Sequence, residues 1–446
     1  MLLSMGLRVH AQQTRIRVVD DSDGQPVPFC HICLEDKKSG KQEYIVGDVN
    51  GTAEVTLGED VILSVSSMGY EHFLSRDVTS SETLEVRLTP SNFGLDEVVV
   101  TGQYKPVRAD KSIYNIKLIG KPRIENQAAN TMAELLSKEL TFKINNDPST
   151  GSSLNLQGMS GENVKILVDG VPVIGRLDGN IDLSQLNLDN VDHIEIVEGP
   201  MSVIYGSNAL AGVVNIITKQ SSSARFKTGV RSYYESVGVY NVNGDAELNG
   251  DNHSLAFSGG RNFFGGYSLV DTSRSKEWKP KEQYNAGIGY LYRKDRFSVR
   301  YKTDFFREKL LDRNAAYSWP YYENGNDIWF TTLRFNNSLH LDKQLPGDNS
   351  FNLLLAHSYY WRSKQDYKID LTTLESNLVP NPDAHDTTLF HAVVACGGFS
   401  HAREEGTLDY QFGFDVNTEY GQGKRFAHGE ENIGDYALFA GLQYRP

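Results

Sequence analysis

From about residue 224 onward, apolar and aromatic residues recur at every second position over stretches longer than soluble strands usually reach. Leu408, Tyr410, Phe412, Phe414, Val416 and Tyr420 alternate with Asp409, Gln411, Asp415, Asn417 and Glu419. Tyr284, Ala286, Ile288, Tyr290 and Tyr292 do the same against Asn285, Gly287, Gly289 and Arg293, and Phe297, Val299, Tyr301 and Phe305 against Ser298, Arg300, Lys302 and Asp304. A period of two sends one set to each face of an extended strand. About ten such segments therefore predict one large antiparallel sheet, apolar on one face and polar on the other. A soluble sandwich alternates in the same way, but its strands are mostly about five or six residues long, whereas a strand crossing a bilayer needs about ten. Length and repetition favour strands of a transmembrane barrel.

Composition agrees with that reading. The chain is 39% hydrophobic with a mean hydropathy of −0.42, and no apolar run approaches the ~20 residues of a membrane helix. Alternating strands keep mean hydropathy low, so the membrane stays open as a location. Counts of 23 Tyr and 20 Phe would furnish aromatic girdles. A net charge of −13 argues against nucleic acid as a partner. Three cysteines make no disulfide framework. Cys30-His31-Ile32-Cys33 reads as strand, which sends residues three apart to opposite faces and predicts burial, not a metal or redox pair. Residues 1–11 look like the tail of a secretory signal peptide, ending Val9-His10-Ala11 ahead of Gln12, so the precursor is expected to start upstream.

Ahead of the alternating region the chain changes character twice. Residues 14–90 carry short β-rich runs (16–19, 29–34, 54–57, 61–65 and 84–88) between turn clusters such as Asp20-Asp21-Ser22-Asp23-Gly24 and Asp48-Val49-Asn50-Gly51, the pattern of a β-sandwich. Residues 91–102 form a linker that contains Asp96, Glu97, Val98, Val99, Val100 and Thr101. Three β-branched residues in a row make this segment extended without an amphipathic face, which suits strand addition to a partner's sheet edge. Within 103–220, Thr131-Met132-Ala133-Glu134 is a capping box opening a helix with Met132, Leu135 and Leu136 on one side. Strand follows at 142–144 and a loop at 145–151. The stretch 166–219 then predicts strand 166–169, a Gly-Val-Pro turn, an exposed loop, strand 192–197, a one-turn helix opened by Gly199-Pro200, and strand 213–217.

Spacing alone makes 103–220 a small α+β domain. As ordered words, however, LVDGVPV, IEIVEGPMSVIYGS and GVVNIITK closely resemble the plug domain of TonB-dependent outer-membrane receptors. DGQPVPFCHICLE, GDVNGTAEV and LSVSSMGYE are similar to the carboxypeptidase-regulatory-like domain found ahead of many such plugs. The expected architecture is mainly β: an N-terminal β-sandwich, an α+β plug domain, and the first about ten antiparallel strands of an incomplete transmembrane β-barrel over 221–446. Incompleteness follows from size. A plug of roughly 120 residues is about 35 Å across by compact-domain scaling, and only barrels of ~22 strands hold a plug. A wall in lipid must also close, so the chain is expected to end within its barrel.

The resemblance implies a function as well. It makes DEVVVTG the TonB box, contacted by TonB of the TonB-ExbB-ExbD complex, with box and sandwich in the periplasm and the barrel in the cell outer membrane. It implies import of a scarce nutrient, a ferric siderophore first, haem or cobalamin next. A sensory or docking role for the sandwich is the alternative from a different class. Ligand contacts are expected from two polar loops, 145–152 with Asn146 and Asp147, and 174–181 with Arg176, Asp178 and Asn180. Arg176 could meet an anionic iron chelate through a charge-assisted bond. The chain departs from the family at Gln157-Gly158, where Arg-Gly is usual, and at Glu198, where Arg is usual, which puts a transferred buried ion pair in doubt. No cofactor and no enzyme activity are expected. Asp192, His193 and Ser207 make no triad, because adjacent strand residues face apart and Ser207 lacks a nucleophile elbow. Asp383, His385, Asp386 and His391 read as a solvated loop running into a strand.

Overall fold

The computed structural model describes residues 13–444 other than 22–23, 38–40, 57–60, 68–69, 71–72, 76–82, 90–97, 100, 102–106, 109–114, 140, 148–150, 160, 178, 202–208, 220–223, 271, 320–321 and 402–407. These fall into two compact units, 1–98 with 108–111, and 99–107 with 112–446.

The first unit is the expected sandwich. One sheet orders Thr52–Thr56, Gln13–Asp20 and Thr83–Leu88, the last two parallel, and the other orders Gln42–Val46, His31–Asp36, Val61–Ser66 and Phe73–Ser75. Alternate residues Ile16 and Val18, Ile32 and Leu34, Leu63 and Val65, and Val86 and Leu88 point between the sheets and are buried, as the period of two requires. Cys30 lies in this core while Cys33 lies on the other side of its strand beside Tyr44. Asp48 ties the next turn by accepting from the amides of Asn50 and Thr52, both at 2.8 Å.

In the second unit, a five-stranded mixed sheet orders Ile116–Gly120, Val191–Glu198, Gly212–Thr218, Val164–Val168 and Val171–Pro172. Helices Lys121–Asn126 and Met132–Ser137 cover it, and Met132, Leu135 and Leu136 join Ile119, Leu156, Ile166, Ile194 and Ile196 in the main core. The capping box forms with a shift: Thr131 Oγ1 accepts from Glu134 N at 3.3 Å, while the Glu134 carboxylate reaches Asn130 N at 2.7 Å. The predicted Gly-Val-Pro turn is corrected by one residue. Asp169 and Gly170 both have positive φ, 50° and 82°, so Asp-Gly makes the tight turn that matches strand twist, and Pro172 pairs on the sheet edge where no ladder amide is needed. The one-turn helix expected after Gly199-Pro200 lies mostly outside the described residues.

The alternating region forms one antiparallel sheet whose hydrogen-bonded path runs through ten strands, from Phe226–Glu235 to Glu430–Tyr444. Several far exceed soluble lengths, Tyr322–Leu345 and Asn349–Asp370 among them. Tyr284, Ile288, Tyr301, Phe305, Phe335 and Phe412 stand on the exposed face, with Leu438 still 89% accessible. Gln283, Glu308, Arg334 and Asp409 are buried on the other. Among the described residues the first and last strands do not pair with each other. Connections at 250–252, 295–296 and 346–348 are short. The opposite end carries 236–238 and the longer 265–280, 314–321, 371–385 and 424–429.

Candidate functional site

The expected loop at 145–151 is mostly strand. Phe142–Asp147 pairs with Gly151–Leu156 in register, placing Asn145 opposite Ser153, Asn146 opposite Ser152 and Asp147 opposite Gly151. Polar residues hide such a hairpin from a propensity reading, because the ladder is satisfied by backbone groups whatever the side chains. The hairpin meets the second predicted loop at Asp182, whose Oδ1 accepts from Ser152 N and Ser184 N, both at 2.9 Å. Gly151 permits the approach. Its φ is +92°, and a Cβ there would lie 2.0 Å from the Asp182 Cγ. The two polar segments singled out as ligand contacts are thus held side by side.

In the second loop, Leu177 and Asn180 exchange both backbone bonds, at 2.9 and 3.0 Å, and Asp178 lies outside the described residues. Arg176 makes bonds within the plug that its charge does not announce. Its guanidinium donates to the carbonyls of Gly161 at 2.7 Å, Val164 at 2.9 Å and Gly179 at 3.0 Å. It braces the loop from within. Ile174 packs on Tyr360 and Phe390 of the wall, and Phe390 on Phe426 in the 424–429 connection, so the loop lies toward the end with the longer connections.

Of the residues expected to form a TonB box, Asp96, Glu97 and Val100 lie outside the described residues. Val98–Val99 pairs with Val107–Arg108 in a two-stranded sheet. Thr101 is fully buried. Its amide donates to Glu195 Oε2 at 2.6 Å, and its hydroxyl accepts from Asn215 Nδ2 at 2.9 Å. Asn215 also accepts from Gly170 N at 3.2 Å. Glu195 continues to His193, Nε2 to Oε1 at 3.1 Å, and His193 Nδ1 to Asp192 Oδ2 at 2.8 Å. Burial opposes protonation of His193, but the flanking carboxylates of Glu195 and Asp192 outweigh it and raise its pKa. This corrects the reason given against a triad: a register irregularity between Val191 and His193 lets the adjacent side chains meet. The second ring nitrogen points at Glu195, and Ser207 lies outside the described residues. Sequence reasoning missed Glu195 and Asn215 as anchors. The available signal was a polar residue inside each apolar run, His-Ile-Glu-Ile-Val and Val-Val-Asn-Ile-Ile, which needs a partner when buried.

The departures from the family pattern meet one another. Gln157 Nε2 donates to Glu198 Oε2 at 3.3 Å, a neutral-to-anionic bond on a partly exposed surface. The α+β domain is also fixed to the wall. Glu308 accepts from Gln185 at 2.8 Å and from Gln283 at 2.7 Å, and Arg334 donates to Gln185 Oε1 at 3.0 Å and to the Ile174 carbonyl at 2.7 Å. Asp169 holds Thr218 through N at 2.9 Å and Oγ1 at 2.7 Å, with Lys302 Nζ at 3.4 Å. Burial works against the Asp169 charge, yet Lys302 and Thr218 keep its pKa below the ordinary range.

Comparison with known proteins assigns this arrangement. The family profile of the TonB-dependent Receptor Plug Domain matches residues 108–213. The vitamin B12 transporter BtuB of Vibrio cholerae serotype O1 is 35% identical over 135 residues, 30% of this chain and 22% of that protein. A variant of the ferric enterobactin receptor PfeA from Pseudomonas aeruginosa, solved with enterobactin, superposes with a TM-score of 0.56 at 15% identity, over 74% of this chain and 55% of that one. The chain therefore spans only part of the length of the proteins it matches. With a matched plug seated against long antiparallel strands that turn their apolar side outward, residues 108–213 are a plug domain of the TonB-dependent receptor type and the chain is similar in fold to TonB-dependent receptors.

Proposed function

We propose that this chain acts in the outer membrane as an importer of a scarce nutrient, binding it over the plug loops 145–152 and 174–181 and releasing it inward when TonB pulls on the segment 96–101. The observation that carries the reading is the pairing of those two polar loops through Asp182, on the side of the plug that reaches Phe390 and Phe426. Short connections at one end of the wall and long ones at the other fit a periplasmic and an outer face respectively. The resemblance to TonB-dependent receptors implies that the sandwich and the TonB box lie in the periplasm. Asn146, Asp147, Asp178 and Asn180 are the polar contacts we favour, with Arg176 as the brace of the second loop. The cargo class we favour is a ferric siderophore. Cobalamin is the second reading, favoured by the 35% identity with a vitamin B12 transporter over 135 residues. Growth of a deletion strain on single iron sources and on cobalamin decides between them, and rescue on none would sink import.

The box has its own test. Val99→Pro removes a backbone donor that strand addition requires. Energised uptake should be abolished while ligand still binds at the cell surface. Uptake at the parental rate would remove residues 96–101 from the TonB contact.

A further inference from the structure

Toward the end with the longer connections, the outward face of the wall turns from aromatic to cationic over three adjacent strands, His253–Phe264, Lys281–Lys294 and Phe297–Arg313. Register sets the residues concerned in two rows. Arg261 lies opposite Tyr284 and Tyr284 opposite Arg307; two residues nearer that end, Phe263 lies opposite Glu282 and Glu282 opposite Lys309. Arg307 and Lys309 continue the outward column of Tyr301 and Phe305 and are themselves exposed. The rows are neutral on either side, ending in Val242 and Tyr240 on one neighbouring strand and in Leu333 and Thr331 on the other. Three cations against the single carboxylate of Glu282 leave an excess of two positive charges in this sector. That carboxylate is already engaged. Arg261 Nε and the Tyr284 hydroxyl both donate to Glu282 Oε1 at 2.7 Å, and the Arg261 guanidinium lies 4.9 Å over the Phe263 ring. Arg307 has Tyr284 and Leu333 opposite it and no acid.

Height along the strand says what such a sector meets. From Phe297, beside the short 295–296 connection, to Arg307 the strand advances ten residues, about 33 Å at ~3.3 Å each. Tilted by about 40°, this becomes about 25 Å, the height of the apolar band on a barrel wall. Arg307 and Lys309 therefore stand at the lipid headgroups, where a lipid-facing cation ceases to be costly. We infer that this sector binds the phosphate of an acylated lipid in the leaflet on that side. Arg307 and Lys309 hold it by charge-assisted bonds, Glu282 keeps Arg261 beside them, and Phe305 lies below toward the acyl chains. The inference rests on the wall lying in a bilayer, as the import reading requires, and does not depend on the cargo.

The chain supplies its own reporter. All four tryptophans, Trp278, Trp319, Trp329 and Trp361, lie toward this end of the wall, so quenching of their fluorescence by bromine on a lipid chain shows which lipid gathers there. The full chain is reconstituted in phosphatidylcholine vesicles, with either dibrominated-chain phosphatidic acid or dibrominated-chain phosphatidylcholine as the quencher. Phosphatidic acid should be preferred at least about tenfold, because each cation near a membrane surface favours an anionic lipid by about fivefold. Arg307→Gln with Lys309→Gln should bring that preference to within about twofold of unity. Arg307→Lys with Lys309→Arg should keep it, and Arg293→Gln with Lys294→Gln, at the opposite end, should leave it unchanged. Equal quenching by the two lipids in the parent protein, or a preference that survives the Arg307 and Lys309 glutamines, overturns the site. So does a preference abolished by inorganic phosphate at an ionic strength where chloride preserves it, which would assign these cations to free phosphate. Absence of quenching by either lipid would instead take the wall out of the bilayer, and the import reading with it.

Discussion

Replacing Glu195 by Ala should release the segment that Thr101 anchors. Glu195 is fully buried and carries two obligations, the Thr101 amide at 2.6 Å and the His193 ring at 3.1 Å. Removing the acceptor leaves the buried Thr101 amide unsatisfied at about 1–3 kcal/mol, while His193 keeps its bond to Asp192. The expected result is protease cleavage near residue 101 and a mobile spin label at position 99, with the plug core still folded. Glu195→Gln should lie between, since it keeps an acceptor for Thr101 and loses the charge that faces His193. The same linkage has a pH sign. The folded-state pKa of His193 is raised, so its contribution is fully present below the unfolded value of about 6.5 and fades as pH rises through the folded one. The segment should therefore loosen toward alkaline pH, and His193→Gln should flatten that dependence. An unchanged protease pattern in Glu195→Ala would show that Thr101 is held by Asn215 alone.

Arg176→Met should also be damaging, and its failure pattern separates brace from ligand contact. Three carbonyls lose a charged donor at once, at about 1.5–3 kcal/mol for each such bond, less whatever water recovers. We expect loop 174–181 to become protease-sensitive and surface binding of cargo to fall together. Arg176→Lys should not restore either, because an ammonium cannot reproduce the planar fork that spans Gly161, Val164 and Gly179. Weakened binding with an intact, protease-resistant loop would instead return Arg176 to the ligand surface.

Those two residues mark where local pattern stops being informative. The wall was legible because lipid outside and polar contacts inside force a strict alternation, and Tyr410 and Phe412 against Asp409 and Gln411 needed no partner strand to declare their faces. The sandwich core and the Met132, Leu135 and Leu136 face of the short helix followed from the same logic of period. The Asp169-Gly170 turn carried a local signal that Val171-Pro172 obscured, and a polar hairpin over 142–156 carried almost none.

What the chain decides by itself is therefore everything set by neighbours in sequence: strand period, turn chemistry, the helix cap, and the ordered motifs that define the plug. Tertiary structure decided which polar groups are spoken for. Glu195 finds Thr101 across 94 positions and Gln157 finds Glu198 across 41, and Arg176 binds carbonyls, which every residue possesses and no sequence distinguishes. A buried hydrogen bond is chosen by proximity after the backbone has folded, so its partners are written in three dimensions and only its need for one is written in the sequence.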